Sequence, residues 1–166
     1  MLLISHDSEA TLQLGKNLAD FLQPANVLAL YGDLGCGKTV LSRGIARGLG
    51  VSSAVSSPTF TIAQEYPLKN NLYFFHLDMY RIHDAESALA FGLEEFLFNP
   101  QAYTVIEWAE RIQLLLPENN PNLISIKLAH HSENSRLLQI PSPYAEQIIE
   151  RGLPDEIEIN KVQKGI

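Results

Sequence analysis

A glycine-rich segment between an apolar run and a helical pattern is the feature that most constrains the fold. Residues 32–39 read Gly-Asp-Leu-Gly-Cys-Gly-Lys-Thr, which fits the pattern of a glycine, four residues and then Gly-Lys-Thr. The apolar run before it, residues 26–31, predicts a buried strand, and residues 40–49 predict a helix. A strand, a tight loop and a helix in this order are typical of an α/β protein.

The same segment predicts a phosphate-binding loop. Its glycines let several backbone N–H groups point at one centre, and the N-terminus of the following helix favours an anion. Lys38 then reaches the outer phosphates of a nucleotide, and the Thr39 hydroxyl binds Mg²⁺. The alternative is a structural glycine turn with a salt-bridged lysine. The predicted cofactor-binding residues are Gly32, Asp33, Leu34, Gly35, Cys36, Gly37, Lys38 and Thr39.

Strand and helix patterns alternate along the rest of the chain. They predict a P-loop NTPase-like α/β fold with a mostly parallel central sheet, flanking helices and a C-terminal antiparallel hairpin. Residues 1–154 form the predicted domain, and the polar residues 155–166 form a mobile tail. Leu2–Ile4 is predicted as an edge strand. The further predicted strands are 60–66, 72–78, 103–108, 123–130 and 136–140, and the further predicted helices are 8–22, 84–90 and 144–150.

Composition limits the classes of partner. The chain has 166 residues, of which 46% are hydrophobic, so it can bury one sizeable core. Its net charge of -7 and the lack of a basic cluster disfavour direct binding of nucleic acid. One cysteine excludes an internal disulfide. No long apolar run predicts a membrane span, and we expect a cytoplasmic protein.

Two acidic residues close apolar strands and are the predicted catalytic pair. Asp78 follows residues 72–77, and Glu107 follows residues 103–106. The carboxyl ends of parallel strands are where ligands bind in open α/β sheets, so one acid can serve Mg²⁺ and the other the attacking water. Thr39 and Glu107 are the predicted metal-side residues. Which acid touches Mg²⁺ stays open, and a capping or loop-bonding role is the alternative for Asp78.

The loop after Pro58 supplies a further candidate. Thr59 and Thr61 lie where a γ-phosphate or its Mg²⁺ can order a switch loop, although a serine-threonine turn explains the composition equally well. Trp108 follows Glu107, and core packing is the simplest role for a tryptophan there. His76 lies in an apolar strand and is expected to be a hydrogen-bonded core histidine.

Four blocks together resemble the TsaE family: Gly-Asp-Leu-Gly-Cys-Gly-Lys-Thr, Ser-Ser-Pro-Thr-Phe-Thr, His-Leu-Asp-Met-Tyr-Arg and Val-Ile-Glu-Trp. The resemblance implies a bacterial ATPase that needs ATP and Mg²⁺. It also implies a role in threonylcarbamoyladenosine formation at adenosine 37 of ANN-decoding tRNAs. The implied partner is the TsaB–TsaD complex, with tRNA contacted only indirectly.

The same resemblance implies roles for individual residues. Asp78 and Glu107 become the functional acids, Thr59 belongs to a switch-like loop, and Trp108 neighbours the nucleotide. Cys36 departs from the alanine that the family commonly has. Beside Lys38 and a helix N-terminus, its thiol is expected to have a lowered pKa and to react readily, the alternative being an inert small residue.

Two other function classes stay open at this stage. A small-molecule kinase uses the same loop but needs an acceptor pocket and an arginine-bearing lid. A nucleotide-gated binding module with negligible turnover differs from an ATPase mainly in rate. An assay of turnover with and without partner proteins distinguishes the three.

Overall fold

A mixed eight-stranded sheet organises the computed structural model, which describes residues 1–160. Along the sheet the strand order is β3-β4-β5-β2-β6-β7-β1-β8. The strands are β1 Leu2–Ser5, β2 Val27–Tyr31, β3 Ala63–Pro67, β4 Tyr73–Asp78, β5 Ala102–Glu107, β6 Leu123–His130, β7 Arg136–Gln139 and β8 Ile157–Ile159. The α-helices are α1 Ser8–Ala19, α2 Lys38–Gly48, α3 Ala85–Phe91 and α4 Ser142–Arg151.

The prediction of a mostly parallel sheet is wrong, because the sheet is mixed. Strands β4, β5, β2 and β6 run parallel to their neighbours within that central set. The pairs β3–β4, β6–β7, β1–β7 and β1–β8 are antiparallel. The short connections 68–72 and 131–135 leave no room for a crossover helix, so they impose antiparallel pairing. The predicted C-terminal hairpin is present as β6–β7.

The first and last strands of the described residues, β1 and β8, pair with each other, against expectation. Strand β1 is not an edge strand, because it pairs with β7 on one side and with β8 on the other. The predicted tail therefore contributes a strand, with Ser5 opposite Ile157 and Leu3 opposite Ile159. The remaining six positions of that predicted tail, 161–166, lie outside the described residues.

Alternate residues of the central strand β2 supply two separate cores. Leu28 and Leu30 belong to the core that also contains residues of α1 and α2, whereas Val27 and Ala29 belong to the core beneath α3. This alternation is expected of a strand that is covered on both faces. Within residues 1–160, no helix is long and apolar enough to cross a lipid bilayer.

Close packing of α1 on α2 fixes the helix that carries the glycine-rich loop. A Cβ atom added at Gly44 would lie 2.1 Å from the Leu12 carbonyl oxygen, and one at Gly15 would lie 2.5 Å from the Leu41 carbonyl oxygen. Neither position tolerates a side chain without a backbone shift. Asp7 caps α1 by accepting from the Ala10 N–H at 2.7 Å. The start of α2 is thereby held firmly over the sheet.

Candidate functional site

A cleft of about 340 Å³ opens where three parallel strands end beside the start of α2. Strand β2 leads directly into the glycine-rich loop, and β4 and β5 end at Asp78 and Glu107. These two acids are register partners on neighbouring strands. The structure thus brings the predicted loop and both predicted acids to one place. Thr59 and Trp108 also line this cleft.

The loop between β2 and α2 takes a path that only glycine tolerates at two points. Gly32 has φ +136°, and a Cβ atom there would lie 2.1 Å from the Leu128 carbonyl oxygen. Gly37 has φ +102° and precedes α2, whose start has no side-chain cap. The first N–H groups of a helix have no partner within it, so the start of α2 offers donors to the cleft. Asp33, Leu34 and Gly35 are exposed, and Leu34 and Gly35 line the cleft.

Lys38 is buried beneath the loop, with only 4% of its surface exposed. Its Nζ donates to the carbonyl oxygens of Gly32 at 2.5 Å and Asp33 at 2.9 Å. The ammonium also lies 3.8 Å from the ring centroid of Trp108, in cation–π contact. Among residues 1–160, no carboxylate forms an ion pair with Lys38. The lysine is therefore not the salt-bridged residue of a structural turn, and its charge stays available to an anion.

Glu107 is bound to the first turns of α2 and to its neighbouring strand. Its Oε2 accepts from the Thr39 hydroxyl at 2.7 Å, and its Oε1 accepts from the Ser42 hydroxyl at 3.1 Å. His76 Nε2 lies 2.7 Å from the same Oε1. With 2% of its surface exposed, Glu107 is a buried carboxylate with a full set of polar partners. These contacts orient one carboxylate oxygen toward Thr39.

His76 is fully buried, as expected, but it reaches the site. Its Nδ1 atom has no hydrogen-bond partner among the described residues. An ionised Glu107 carboxylate can only accept, so the hydrogen of this contact is donated by His76 Nε2. Ser42 and His76 were not among the predicted site residues. The signal for Ser42 was its position one helical turn after Lys38, and for His76 it was its place two residues before Asp78.

Asp78 is bound to a loop rather than to a helix. Its Oδ2 accepts from the Ser57 hydroxyl at 2.5 Å and from the Thr59 hydroxyl at 3.0 Å. Its Oδ1 accepts from the Tyr80 N–H at 2.9 Å. Thr59 lines the cleft, and its hydroxyl contacts the side chains of Ser57 and Asp78, so its contact with a γ-phosphate or Mg²⁺ stays a prediction. The predicted strand from residue 60 begins only at Ala63, since the Pro58 carbonyl accepts from the Thr61 and Ile62 N–H groups.

Trp108 packs against the core beneath α3 and also forms a wall of the cleft. Its backbone is left-handed, with φ 59° and ψ 42°, which is uncommon for a non-glycine residue and occurs at functional sites. The indole is half-buried, packs on Tyr80 at a centroid distance of 5.1 Å and carries Lys38 on its face. This conformation turns the indole from the end of β5 into the cleft.

The prediction of a lowered pKa for Cys36 is wrong. The side chain is fully buried, and burial raises the pKa of the Cys36 thiol because the thiolate loses its hydration. The nearby Lys38 ammonium acts in the opposite direction but is outweighed. Cys36 packs within the core that underlies the loop. We therefore describe it as a small packing residue.

The described chain defines an α/β protein with a glycine-loop cleft at the carboxyl ends of its parallel strands. Residues 5–138 match the family described as "Threonylcarbamoyl adenosine biosynthesis protein TsaE". The chain belongs to this TsaE family, which is involved in tRNA threonylcarbamoyladenosine biosynthesis.

Individual relatives agree with the family match. The chain is 42% identical over 125 residues to the tRNA threonylcarbamoyladenosine biosynthesis protein TsaE of Bacillus subtilis, covering 75% of this chain and 76% of that protein. The TsaE protein of Haemophilus influenzae is 35% identical over 137 residues, covering 80% and 85%. The crystal structure of Bacillus subtilis YdiB superposes with a TM-score of 0.69 at 31% identity, covering 90% of this chain and 92% of that one.

Proposed function

We propose that the cleft binds ATP with Mg²⁺ and hydrolyses it. The observation that carries this proposal is a buried ammonium, without a carboxylate partner among residues 1–160, beside a hydroxyl–carboxylate couple at one helix start. Lys38 supplies the ammonium, and Thr39 with Glu107 supplies the couple at 2.7 Å. A polyphosphate needs positive charge and N–H donors, whereas Mg²⁺ needs hard oxygen ligands. The cleft presents both side by side.

The residues present fit both groups. The loop and the uncapped start of α2 provide N–H donors without any side chain that blocks them. Thr39 and Glu107 would hold the metal side, which suits an ion that takes few protein ligands and keeps several waters. When bound, Mg²⁺ supplies charge that stabilises the transferring phosphoryl group and the leaving group.

Each of the main site residues then has a defined task. The Lys38 ammonium, now shared between two carbonyl oxygens, turns toward phosphate oxygens and neutralises their charge. Glu107 keeps the Thr39 hydroxyl oriented, and His76 keeps Glu107 in place. Asp78 holds Ser57 and Thr59 against the end of β4, which positions their loop where a water can be oriented.

The cellular role proposed for this turnover follows from the family. TsaE proteins serve tRNA threonylcarbamoyladenosine biosynthesis. We propose that this chain acts on a TsaB–TsaD complex, which holds the tRNA. The net charge of -7 supports an indirect contact with tRNA, because it opposes a polyanion.

A small-molecule kinase is the weaker candidate. Such an enzyme needs arginines that screen the transferred phosphoryl group from water. Among the described residues that line the cleft, Lys38 is the only cationic one. This favours hydrolysis or nucleotide-gated binding over transfer to a metabolite.

Phosphate release by the purified chain with Mg²⁺ and ATP, measured with and without TsaB–TsaD, tests the proposal. We expect slow release alone and faster release with the complex, and neither with Lys38→Ala. A phosphorylated metabolite as product would favour the kinase. Nucleotide binding without release, even with the complex, would favour the gated module.

A further inference from the structure

A second cleft lies directly beside the candidate site. It has a volume of about 550 Å³ and is lined by Tyr80, Arg81, His83 and Arg111. Tyr80 lines both clefts, so the two are neighbours. The first three residues follow β4, and Arg111 lies in the 3₁₀ segment Ala109–Leu115 after β5. We call these four residues the basic cleft.

The two arginines of the basic cleft have no ion-pair partners within residues 1–160. The ion pairs there join His6 with Glu158, His76 with Glu107, and Arg151 with Asp20. None of these pairs includes Arg81, His83 or Arg111.

The acids nearest in sequence do not neutralise the cleft. Glu110 precedes Arg111 without pairing with it. Asp84 follows His83, but its carboxylate accepts from the Ser87 N–H at 2.8 Å and caps α3. The chain as a whole is acidic, with 12 basic and 19 acidic residues. Two guanidinium groups without ion-pair partners therefore make this cleft locally positive. Guanidinium groups bind carboxylates and phosphates through paired N–H donors.

We propose that the basic cleft docks a carboxylate-rich segment of a protein partner. A polyphosphate backbone such as RNA needs an extended basic stripe to overcome the net charge of -7, and three side chains do not form one. Base stacking is also restricted, because Tyr80 packs on Trp108 and the Arg81 guanidinium lies 4.6 Å from the Phe60 ring centroid. Arginine and tyrosine in one concave patch are typical of protein interfaces.

The basic cleft is connected to the Asp78 side of the candidate site. Arg81 stacks on Phe60, which is 85% exposed and follows Thr59. Thr59 bonds Asp78, and Asp78 bonds the N–H of Tyr80. A carboxylate binds the in-plane N–H groups of Arg81 while the guanidinium face stays on the Phe60 ring, so docking fixes Arg81 and acts on this loop through Phe60. Docking at the basic cleft does not depend on ATP hydrolysis. The effect of docking on the loop, in contrast, rests on the proposed function.

Titration of the ¹⁵N-labelled full chain with hexaglutamate tests the docking step. We expect the Nε–Hε signals of Arg81 and Arg111 to shift, and the double variant Arg81→Ala/Arg111→Ala to bind about tenfold more weakly. Lys69→Ala is the control, because Lys69 lies at the opposite end of β4. Unshifted arginine signals, or an equal loss in Lys69→Ala, would overturn the proposal, as would tighter binding of hexauridylate at the same arginines. Amide spectra show whether each variant is folded.

Affinity for TsaB–TsaD extends the test to a whole partner. We expect Arg81→Glu/Arg111→Glu to weaken binding at least about tenfold and to leave the affinity for Mg²⁺-ATP of the isolated chain unchanged. Lys69→Glu should bind the complex like the wild type. If the variant binds the complex normally, the basic cleft does not dock that partner. If the wild type binds neither the complex nor ATP, the proposed function fails while the hexaglutamate result still decides the docking site.

Discussion

Asp78 and Glu107 are neighbours in register at the ends of β4 and β5, yet they connect to different parts of the molecule. Glu107 bonds Thr39 and Ser42, both in a helix that packs tightly on α1. Asp78 bonds Ser57 and Thr59, which lie in a loop without regular secondary structure. The two acids look equivalent in the sequence. Glu107 nevertheless joins its strand to a packed helix, whereas Asp78 joins its strand to an irregular loop.

The difference indicates separate tasks for the two acids. A carboxylate fixed to a packed helix can hold a hydroxyl in one orientation, as a metal site requires. A carboxylate that accepts from two hydroxyl groups of a loop decides where that loop lies. We infer that Glu107 serves the metal side and that Asp78 positions the loop. The following predictions test this separation, beginning with the largest effect.

Lys38→Ala should remove the phosphate contact on which both acids depend. We expect ATP hydrolysis to fall by about 100-fold or more, because a charge-assisted contact to the phosphates is lost. Phosphate release and the thermal midpoint are measured together. Lys16→Ala, at an exposed position of α1 that does not line the cleft, is the control. Normal hydrolysis in Lys38→Ala would show that neither acid serves a nucleotide.

Asp78→Ala should release the loop without loosening α2. The Ser57 and Thr59 hydroxyls and the Tyr80 N–H would lose their shared acceptor, so we expect about tenfold faster proteolysis within residues 52–62. Glu107→Ala is the matched control and should leave this cleavage unchanged. Equal cleavage in both variants would remove the distinction between the acids.

His76→Gln and His76→Leu sharpen the description of Glu107. A glutamine amide can donate to Oε1 in place of the imidazole, whereas leucine leaves Glu107 with one donor fewer. We expect hydrolysis to fall about five- to tenfold in His76→Leu and to recover in large part in His76→Gln. The thermal midpoint and KM are recorded for both, since a purely structural role would lower stability without separating the two variants in kcat.

Alkylation of Cys36 should show the smallest effect. The thiol is fully buried and its pKa is raised by burial, so iodoacetamide should react slowly near neutral pH. The rate should rise with pH as thiolate forms. The Cys36 thiol of Asp78→Ala should react at the wild-type rate. Cys36 packs into the core below the glycine-rich loop, whereas Asp78 bonds Ser57 and Thr59 in a different loop. Fast labelling of the folded wild type would contradict the packing role.

Much of the site was predictable because its residues are close in sequence or end strands. The glycine pattern predicts the β2–α2 loop, and buried strands ending in Asp78 and Glu107 predict a shared edge. The partners of the acids were not predictable, because Ser57 and Thr59 reach Asp78 from an irregular segment. The thiol of Cys36 was misjudged because the sequence shows the neighbouring charge but not the depth of burial.

Some features of the fold were not predicted. Periodicity identifies strands but not their direction, so the antiparallel pairs of β1 with β7 and β8 escaped the prediction of a mostly parallel sheet. The strand at Ile157–Ile159 is short and follows polar residues, and its pairing with β1 depends on a contact across almost the whole chain. Such long-range pairing leaves no local pattern.

The dependence of hydrolysis on Mg²⁺, compared in Glu107→Gln and Asp78→Asn, tests the separation of tasks most directly. Both variants remove one charge from neighbouring positions and keep the side-chain volume. At saturating ATP, we expect Glu107→Gln to need about tenfold more Mg²⁺ for half-maximal rate, since its hold on the Thr39 hydroxyl weakens. Asp78→Asn should lower the maximal rate with a wild-type Mg²⁺ requirement. An equal shift of the Mg²⁺ requirement in both variants would contradict the account.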